Sequence, residues 1–214
     1  MSFYFAKSPF WFRWVYPNLL WRVKTVEKRL FLTFDDGPHP EATHFVLDTL
    51  REYNAKATFF CVGKNVEMYP EIYERIIAEG HAAGNHTHSH LNGWKVEDDF
   101  YYENIRHAAH FIKSRLFRPP YGRITRQQSK HILENNLAKQ IVMWDVLSGD
   151  FDVHISPEKC YKNVMDNIRS GSIVVFHDSA KAFPVLKIVL PQIISELKGE
   201  GWSFAGLQTG IGKI

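Results

Sequence analysis

Cysteine is scarce in this 214-residue chain. Cys61 and Cys160 stand far apart with no CxxC pair, which excludes a disulfide framework and a thiolate zinc site and predicts two buried, reduced thiols. No run of five or more Lys or Arg occurs, and the formal charge is only +3, so a phosphate backbone has nothing to bind and nucleic acid is not expected. No internal repeat and no low-complexity stretch is present. The start of the chain lacks a basic stretch followed by an unbroken apolar region and a small-residue cleavage site, and Pro9, Arg13 and Pro17 interrupt any membrane span. These absences leave a cytoplasmic or peripherally membrane-associated protein as the expectation, with its oligomeric state open. At 45% hydrophobic and 23% charged, the chain is suited to one ordinary globular domain.

Aromatics are abundant where the chain begins. Residues 3–21 hold nine of the 31 (Phe3, Tyr4, Phe5, Phe10, Trp11, Phe12, Trp14, Tyr16 and Trp21), with Lys7, Arg13 and Arg22 among or beside them. Residues 1–27 therefore divide from a domain over 28–214. Two readings fit this aromatic-rich N-terminal extension: it packs over the domain, or it makes a peripheral contact with a membrane surface.

Past that segment, strand-like runs alternate with amphipathic stretches. The runs are Leu30–Phe34, Ala57–Val62, His81–His86, Leu116–Arg118, Gln140–Trp144, Ser172–Phe176 and Ser203–Leu207. Helices are predicted near 41–53, 65–79, 97–114, 123–137, 158–169 and 184–198. Ser156 followed by Pro157 reads as N-cap and first helical residue, while Gly80, Gly171 and Gly199 stand where a helix-ending left-handed residue would. The rhythm predicts an α/β protein built as a distorted (β/α) barrel of seven parallel strands. In such barrels the loops after the strands build the active face.

Five of the seven runs end in polar residues suited to chemistry. Asp35 and Asp36 follow the first, before Gly37-Pro38. Adjacent carboxylates repel unless a cation or hydrogen-bond donors neutralise one of them, although Asp-Gly is also an ordinary turn signal. His86 and His90, spaced i and i+4, share one side if the segment makes a helical turn. A strand would instead align His88 with both, and spacing alone leaves this open. Two imidazoles and one carboxylate form a set that holds a divalent metal and leaves positions open for water and substrate. His177 ends a buried-looking strand and is suited to proton transfer near neutrality. Arg118, held by two prolines, has Asp150 as a plausible partner.

Taken together, Thr33-Phe34-Asp35-Asp36-Gly37-Pro38, His86-Thr87-His88-Ser89-His90, Arg118-Pro119-Pro120-Tyr121-Gly122, the Asp145 to Asp150 stretch and Ile173 to His177 resemble the ordered motifs of the polysaccharide deacetylase family. That family is also called the NodB homology domain, or carbohydrate esterase family 4, and the resemblance covers about residues 28–207. It implies a hydrolase removing N-acetyl groups from N-acetylglucosamine-containing glycans, of chitin-oligosaccharide or peptidoglycan type, with release of acetate. It further implies that Asp36, His86 and His90 hold the metal, zinc by preference and cobalt or another divalent ion as alternatives. Asp35 becomes the general base and His177 the general acid. Arg118 would orient Asp35, Asp150 would hold Arg118, and the Tyr121 backbone amide would help stabilise the oxyanion. His88 stays outside the ligand set. One departure is Phe151, where the family often has Trp. The alternatives are an O-acetyl esterase or small-molecule amidase on the same scaffold, or a carbohydrate-binding pseudoenzyme. A non-haem iron oxygenase would use the same ligand set but leaves Asp35 and His177 without a role.

Overall fold

The structure, a computed structural model, describes residues 5–208 together with 210 and 212. Phe3 and Tyr4 of the aromatic segment, and residues 209, 211, 213 and 214 of the predicted domain, lie outside the described residues. In chain order the elements are α1 (Phe12–Val15), β1 (Arg29–Asp35), α2 (Ala42–Glu52), β2 (Thr58–Cys61), α3 (Gly63–Met68), α4 (Pro70–Ala78), β3 (Ala82–Asn85) and α5 (Asp98–Phe111). They continue as β4 (Leu116–Phe117), α6 (Arg126–Glu134), β5 (Gln140–Ile141), β6 (Val146–Leu147), α7 (Pro157–Met165), β7 (Ile173–His177), α8 (Phe183–Gly199) and β8 (Ser203–Phe204).

The strands are parallel and run in the order β5-β4-β3-β2-β1-β7-β6, with β8 paired to the start of β1. This is the expected distorted (β/α) barrel. All seven predicted strands are present, and Val146–Leu147 adds a short eighth that is too brief to read from periodicity. The helix predicted over 65–79 is two helices broken at Tyr69, where Pro70 opens the second. Gly80 and Gly171 take positive φ (77° and 81°) as expected, but Gly199 ends α8 and Gly201 (φ 82°) takes the left-handed position after it. Ser156 caps α7 by accepting from the Lys159 amide, with Pro157 behind it.

Alternation along β1 divides its apolar side chains between two of the three cores. Leu30, Leu32 and Phe34 face the surrounding helices, where Phe34 stacks between Phe59 and Phe176 at ring distances of 5.1 and 5.9 Å. Phe31 faces the barrel interior with Phe60, Leu116, Val142, Ile173 and Leu207. Thr33 and Asp35 continue that inward column, so the strand delivers its last carboxylate to the barrel mouth.

The barrel is not closed by a bond between β5 and β6; residues from the beginning of the chain lie along that seam. The Leu20 amide donates to Ile141 O at 2.9 Å and its carbonyl accepts from Met143 N at 2.8 Å. Lys7 bridges Val146 in antiparallel fashion, and Arg22 bridges Ser172. Leu20 and Val23 join the barrel interior, while Leu19 and Trp21 pack with Phe117, Ile124 and Ile141. Bare sheet edges are thereby covered. Cys61 and Cys160 are buried free thiols, as expected. No helix among the described residues is long and apolar enough to cross a membrane.

If this segment is structurally part of the barrel, Leu20→Ala should destabilise the protein by about 2–5 kcal/mol, the usual range for emptying a fully buried leucine site. Guanidinium denaturation checks this, and a wild-type midpoint would make the segment a separable extension.

Candidate active site and metal centre

Three ligand atoms, one each from Asp36, His86 and His90, lie within 4.8 Å of one another at the mouth of the barrel. Asp36 Oδ1 stands 3.0 Å from His90 Nε2 and 3.7 Å from His86 Nε2. His86 follows directly on β3, and its Nδ1 bonds to the Arg118 carbonyl at 2.8 Å. Because a carbonyl only accepts, Nδ1 carries the proton and Nε2 is left with its lone pair facing the site. His90 Nδ1 is 3.1 Å from the Tyr121 hydroxyl, and the two rings meet edge to face.

The two histidines do not converge through a helical turn. Residues 86–90 form an irregular loop with positive φ at Thr87 (62°) and His90 (53°), and the loop itself brings the rings to 5.1 Å. Side-chain amides hold this shape. Asn85 Oδ1 accepts from Thr87 N, and Asn104 Oδ1, on α5, accepts from both His88 N and Ser89 N. His88 turns the other way and stacks on His107 with ring centroids 3.8 Å apart.

The charge states suit a cation. Burial pushes His86 down to about 4, so its imidazole is neutral at neutral pH. Burial would raise Asp36, but its hydrogen bond to His90 and the neighbouring His177, His86 and His90 outweigh that and hold the carboxyl below the usual carboxylate range. One ionised carboxylate, the free Nε2 of His86 and the Nε2 of His90, which would exchange its hydrogen bond with Asp36 for the ion, form a donor set that a divalent metal accepts.

Asp35 points the other way from Asp36, into the barrel. Its Oδ1 accepts from Arg118 Nη1 at 2.6 Å. The Arg118 guanidinium is fully buried and also donates to Thr33 Oγ1, Val142 O and Met143 O, with the Phe60 ring 4.1 Å beneath it. Asp150 does not hold Arg118, contrary to the expectation. Backbone carbonyls already occupy that side of the guanidinium, and Asp150 lies past β6, where it meets His177 instead. Asp150 Oδ1 pairs with His177 Nδ1 at 2.8 Å and its Oδ2 accepts from His177 N at 2.8 Å. Asp145, at the other end of that stretch, is structural: it accepts from Arg13, Arg169 and Ser172 at the seam.

His177 is the direct strand partner of Asp35 in the β1–β7 register, so both reach the same mouth. Burial alone would lower its pKa; the charge and hydrogen bond of Asp150, with Asp36 and Asp35 behind, outweigh burial and lift it to about 9. Tyr121 has a positive φ of 60° and is exposed, and Gly122 behind it leaves room for Trp144, which a Cβ would meet at 2.5 Å. Sequence reasoning missed the supports of the aspartate turn. Asp178 Oδ1 accepts from Gly37 N, its Oδ2 accepts from Thr43 Oγ1, and Asn65 Nδ2 donates to Asp36 O at 2.7 Å. Asp178, directly after His177, was a visible signal; Thr43 and Asn65 carried none.

A family model described as polysaccharide deacetylase matches residues 22–139. A peptidoglycan-N-acetylglucosamine deacetylase of Bacillus cereus is 38% identical over 183 residues, covering 82% of this chain and 66% of that protein. A chitooligosaccharide deacetylase of Azorhizobium caulinodans is 35% identical over 164 residues, covering 73% of this chain and 77% of its own. The crystal structure of a peptidoglycan N-acetylglucosamine deacetylase in complex with 4-naphthalen-1-yl-N-oxidanyl-benzamide superposes with a TM-score of 0.85 at 35% identity, covering 94% of this chain and 95% of that one.

The opposite orientations of the two aspartates predict separable losses. Asp36→Ala and His86→Ala should each lose bound metal and any metal-dependent turnover together. Asp35→Asn should keep wild-type metal content with turnover reduced at least about a hundredfold, the usual scale for a lost proton-transfer group. Metal analysis by mass spectrometry beside a rate assay checks all three, and full activity in Asp35→Asn would remove it from the base role.

Proposed function

The chain belongs to the polysaccharide deacetylase family, and from that premise we propose that it hydrolyses the N-acetyl group of N-acetylglucosamine-containing glycans, of peptidoglycan or chito-oligosaccharide type, releasing acetate. The observation that carries this reading is the three-ligand set of Asp36, His86 and His90, flanked at one barrel mouth by a buried carboxylate and a carboxylate-bound imidazole. These three residues would hold a divalent cation, zinc in our reading, which when bound supplies a Lewis acid for the acetyl carbonyl and acidifies water.

The rest of the chemistry belongs to the chain's own side chains. Asp35 is the general base. Arg118 engages its Oδ1 and fixes the carboxylate plane, leaving Oδ2 to accept the proton of the attacking water. His177 is the general acid. Its Nδ1 is committed to Asp150, so the Nε2 proton is the one delivered to the departing sugar nitrogen. Asp150 is thus a positioning residue for His177, in the way a buried carboxylate orients the imidazole of a hydrolytic triad. The Tyr121 backbone amide is assigned to the oxyanion, and the Tyr121 hydroxyl orients His90.

Acetate release should be measured on acetylated chito-oligosaccharide, peptidoglycan and acetylxylan, with and without chelator. Release from either of the first two, abolished by chelator and restored by zinc, is expected. Release from acetylxylan alone would make the protein an O-acetyl esterase, and none at all from a metal-loaded sample would make it a binding module.

The lifted His177 pKa sets a second expectation. An acid with a pKa of about 9 stays protonated through neutral pH, so kcat/KM should fall only as pH rises through about 9. Asp150→Asn removes the attraction that opposes burial, and the alkaline limb should move down toward or below the ordinary imidazole value of 6.5. A pH profile of kcat/KM for both proteins checks this, and an unmoved limb would take His177 out of the titration.

A further inference from the structure

The aromatic segment at the start of the chain is two-sided. Phe12 and Tyr16 face inward and pack against the buried cluster that contains Trp21, and the Tyr16 hydroxyl donates to Ile124 O at 3.2 Å. Phe10, Trp11 and Trp14 face outward on the same turn, at 68%, 47% and 76% exposed. Large aromatics so exposed are held there by the fold, because their neighbours on the turn are anchored to the loops that follow β4 and β5.

The segment's own charges have one sign. Residues 1–26 contain Lys7, Arg13, Arg22 and Lys24 and no Asp or Glu. Asp145, the buried carboxylate that faces the segment, is shared by Arg13 and Arg169, which leaves the pair of cations in excess. Arg126, exposed on α6, donates to Val15 O and adds a further cation.

Three occupants would suit exposed aromatics, and geometry separates them. A sugar chain calls for flat, open ring faces, whereas Phe10 meets Trp14, and Trp11 meets Phe12, at interplanar angles of 85°. A second copy of this chain needs about 800 Å² per partner, while three aromatics at these exposures offer roughly 300–500 Å². An anionic lipid surface needs only a few bulky side chains on a rigid turn beside uncompensated basic ones.

We infer that Phe10, Trp11 and Trp14, with Lys7 and Arg126 beside them, form an interfacial anchor that seats the protein on an anionic lipid bilayer. The inference is independent of the deacetylase reading. Insertion of the three rings into the headgroup region supplies the apolar contribution, and the basic residues supply long-range attraction that salt weakens.

The test is sedimentation of the full chain with vesicles of phosphatidylglycerol and phosphatidylcholine in equal amounts, beside vesicles of phosphatidylcholine alone. Binding to the anionic vesicles is expected, weakening as salt is added, with tryptophan fluorescence quenched by brominated lipid. The triple variant Phe10→Ser, Trp11→Ser, Trp14→Ser should bind at least about tenfold more weakly. Its metal content should match the wild type, since none of the three touches the metal ligands. Lys7→Glu with Arg126→Glu, which leaves the rings in place, should lose binding at low salt and serves if the triple variant fails to fold. No sedimentation of the wild type with anionic vesicles would overturn the anchor, as would undiminished binding by both variants. A wild-type dimer in light scattering that the triple variant abolishes would overturn it in favour of self-association.

Discussion

A fully buried arginine facing a buried aspartate is the constraint on which the site depends. Arg118 cannot lose its proton in a protein, so its charge must be met where it lies. It is met by Asp35 and by three neutral oxygens, drawn from β1 and from the segment after β5. Removing one partner of such a pair costs about 3–5 kcal/mol, because the other charge is then stranded in low dielectric. The arrangement therefore holds Asp35 in one orientation, as the proposed role of a base meeting a water at a fixed place requires. The same residue's carbonyl takes the Nδ1 proton of His86. Arg118 thus governs both the proposed base and one candidate metal ligand, through different atoms.

Two adjacent carboxylates do different work because the backbone turns between them. Asp35 ends β1 with its side chain in the barrel, and Asp36, at φ 81°, sends its own toward the histidines. A non-glycine residue in that conformation is strained, and strain of this kind persists only where surrounding bonds over-determine it. Asp178, Thr43 and Asn65 are those bonds. Burial drives Asp178 up to about 8 while the imidazoles drive Asp36 down. Neighbouring acids with pKa values pushed apart are the mark of a site where one stays charged and another serves as scaffold.

The seam of the barrel joins the scaffold to the surface. Because β5 and β6 do not pair, their edges are met by residues 6–8 and 20–22, and the price of that closure is a basic, aromatic turn on the outside. Arg13 and Asp145 tie the turn to the same stretch of chain that ends in Asp150, so one continuous segment links the aromatic face to the barrel mouth.

How much of this was legible beforehand depends on the range of each interaction. Local chemistry determined the strand runs, the Ser156 cap, the parallel α/β order and the cluster of polar residues past the strand ends. Periodicity and turn propensity act over a few residues, and they are written in order along the chain. Asp35, Asp36, His86, His90, Arg118, Tyr121, Asp150 and His177 could all be picked out because each follows or adjoins a hydrophobic run. Pairing between them was a matter of tertiary structure. Complementary charge pairs Asp150 with Arg118 on paper, yet the β6–β7 register carries it to His177, while carbonyls of Val142 and Met143 fill its place beside the guanidinium. The conformation of 86–90 was decided by Asn104, a buried polar residue on a helix 14 positions beyond His90. The two-residue strand β6 and the seam exist only because separate pieces of chain meet there, and contacts between distant residues leave no period for a sequence to display.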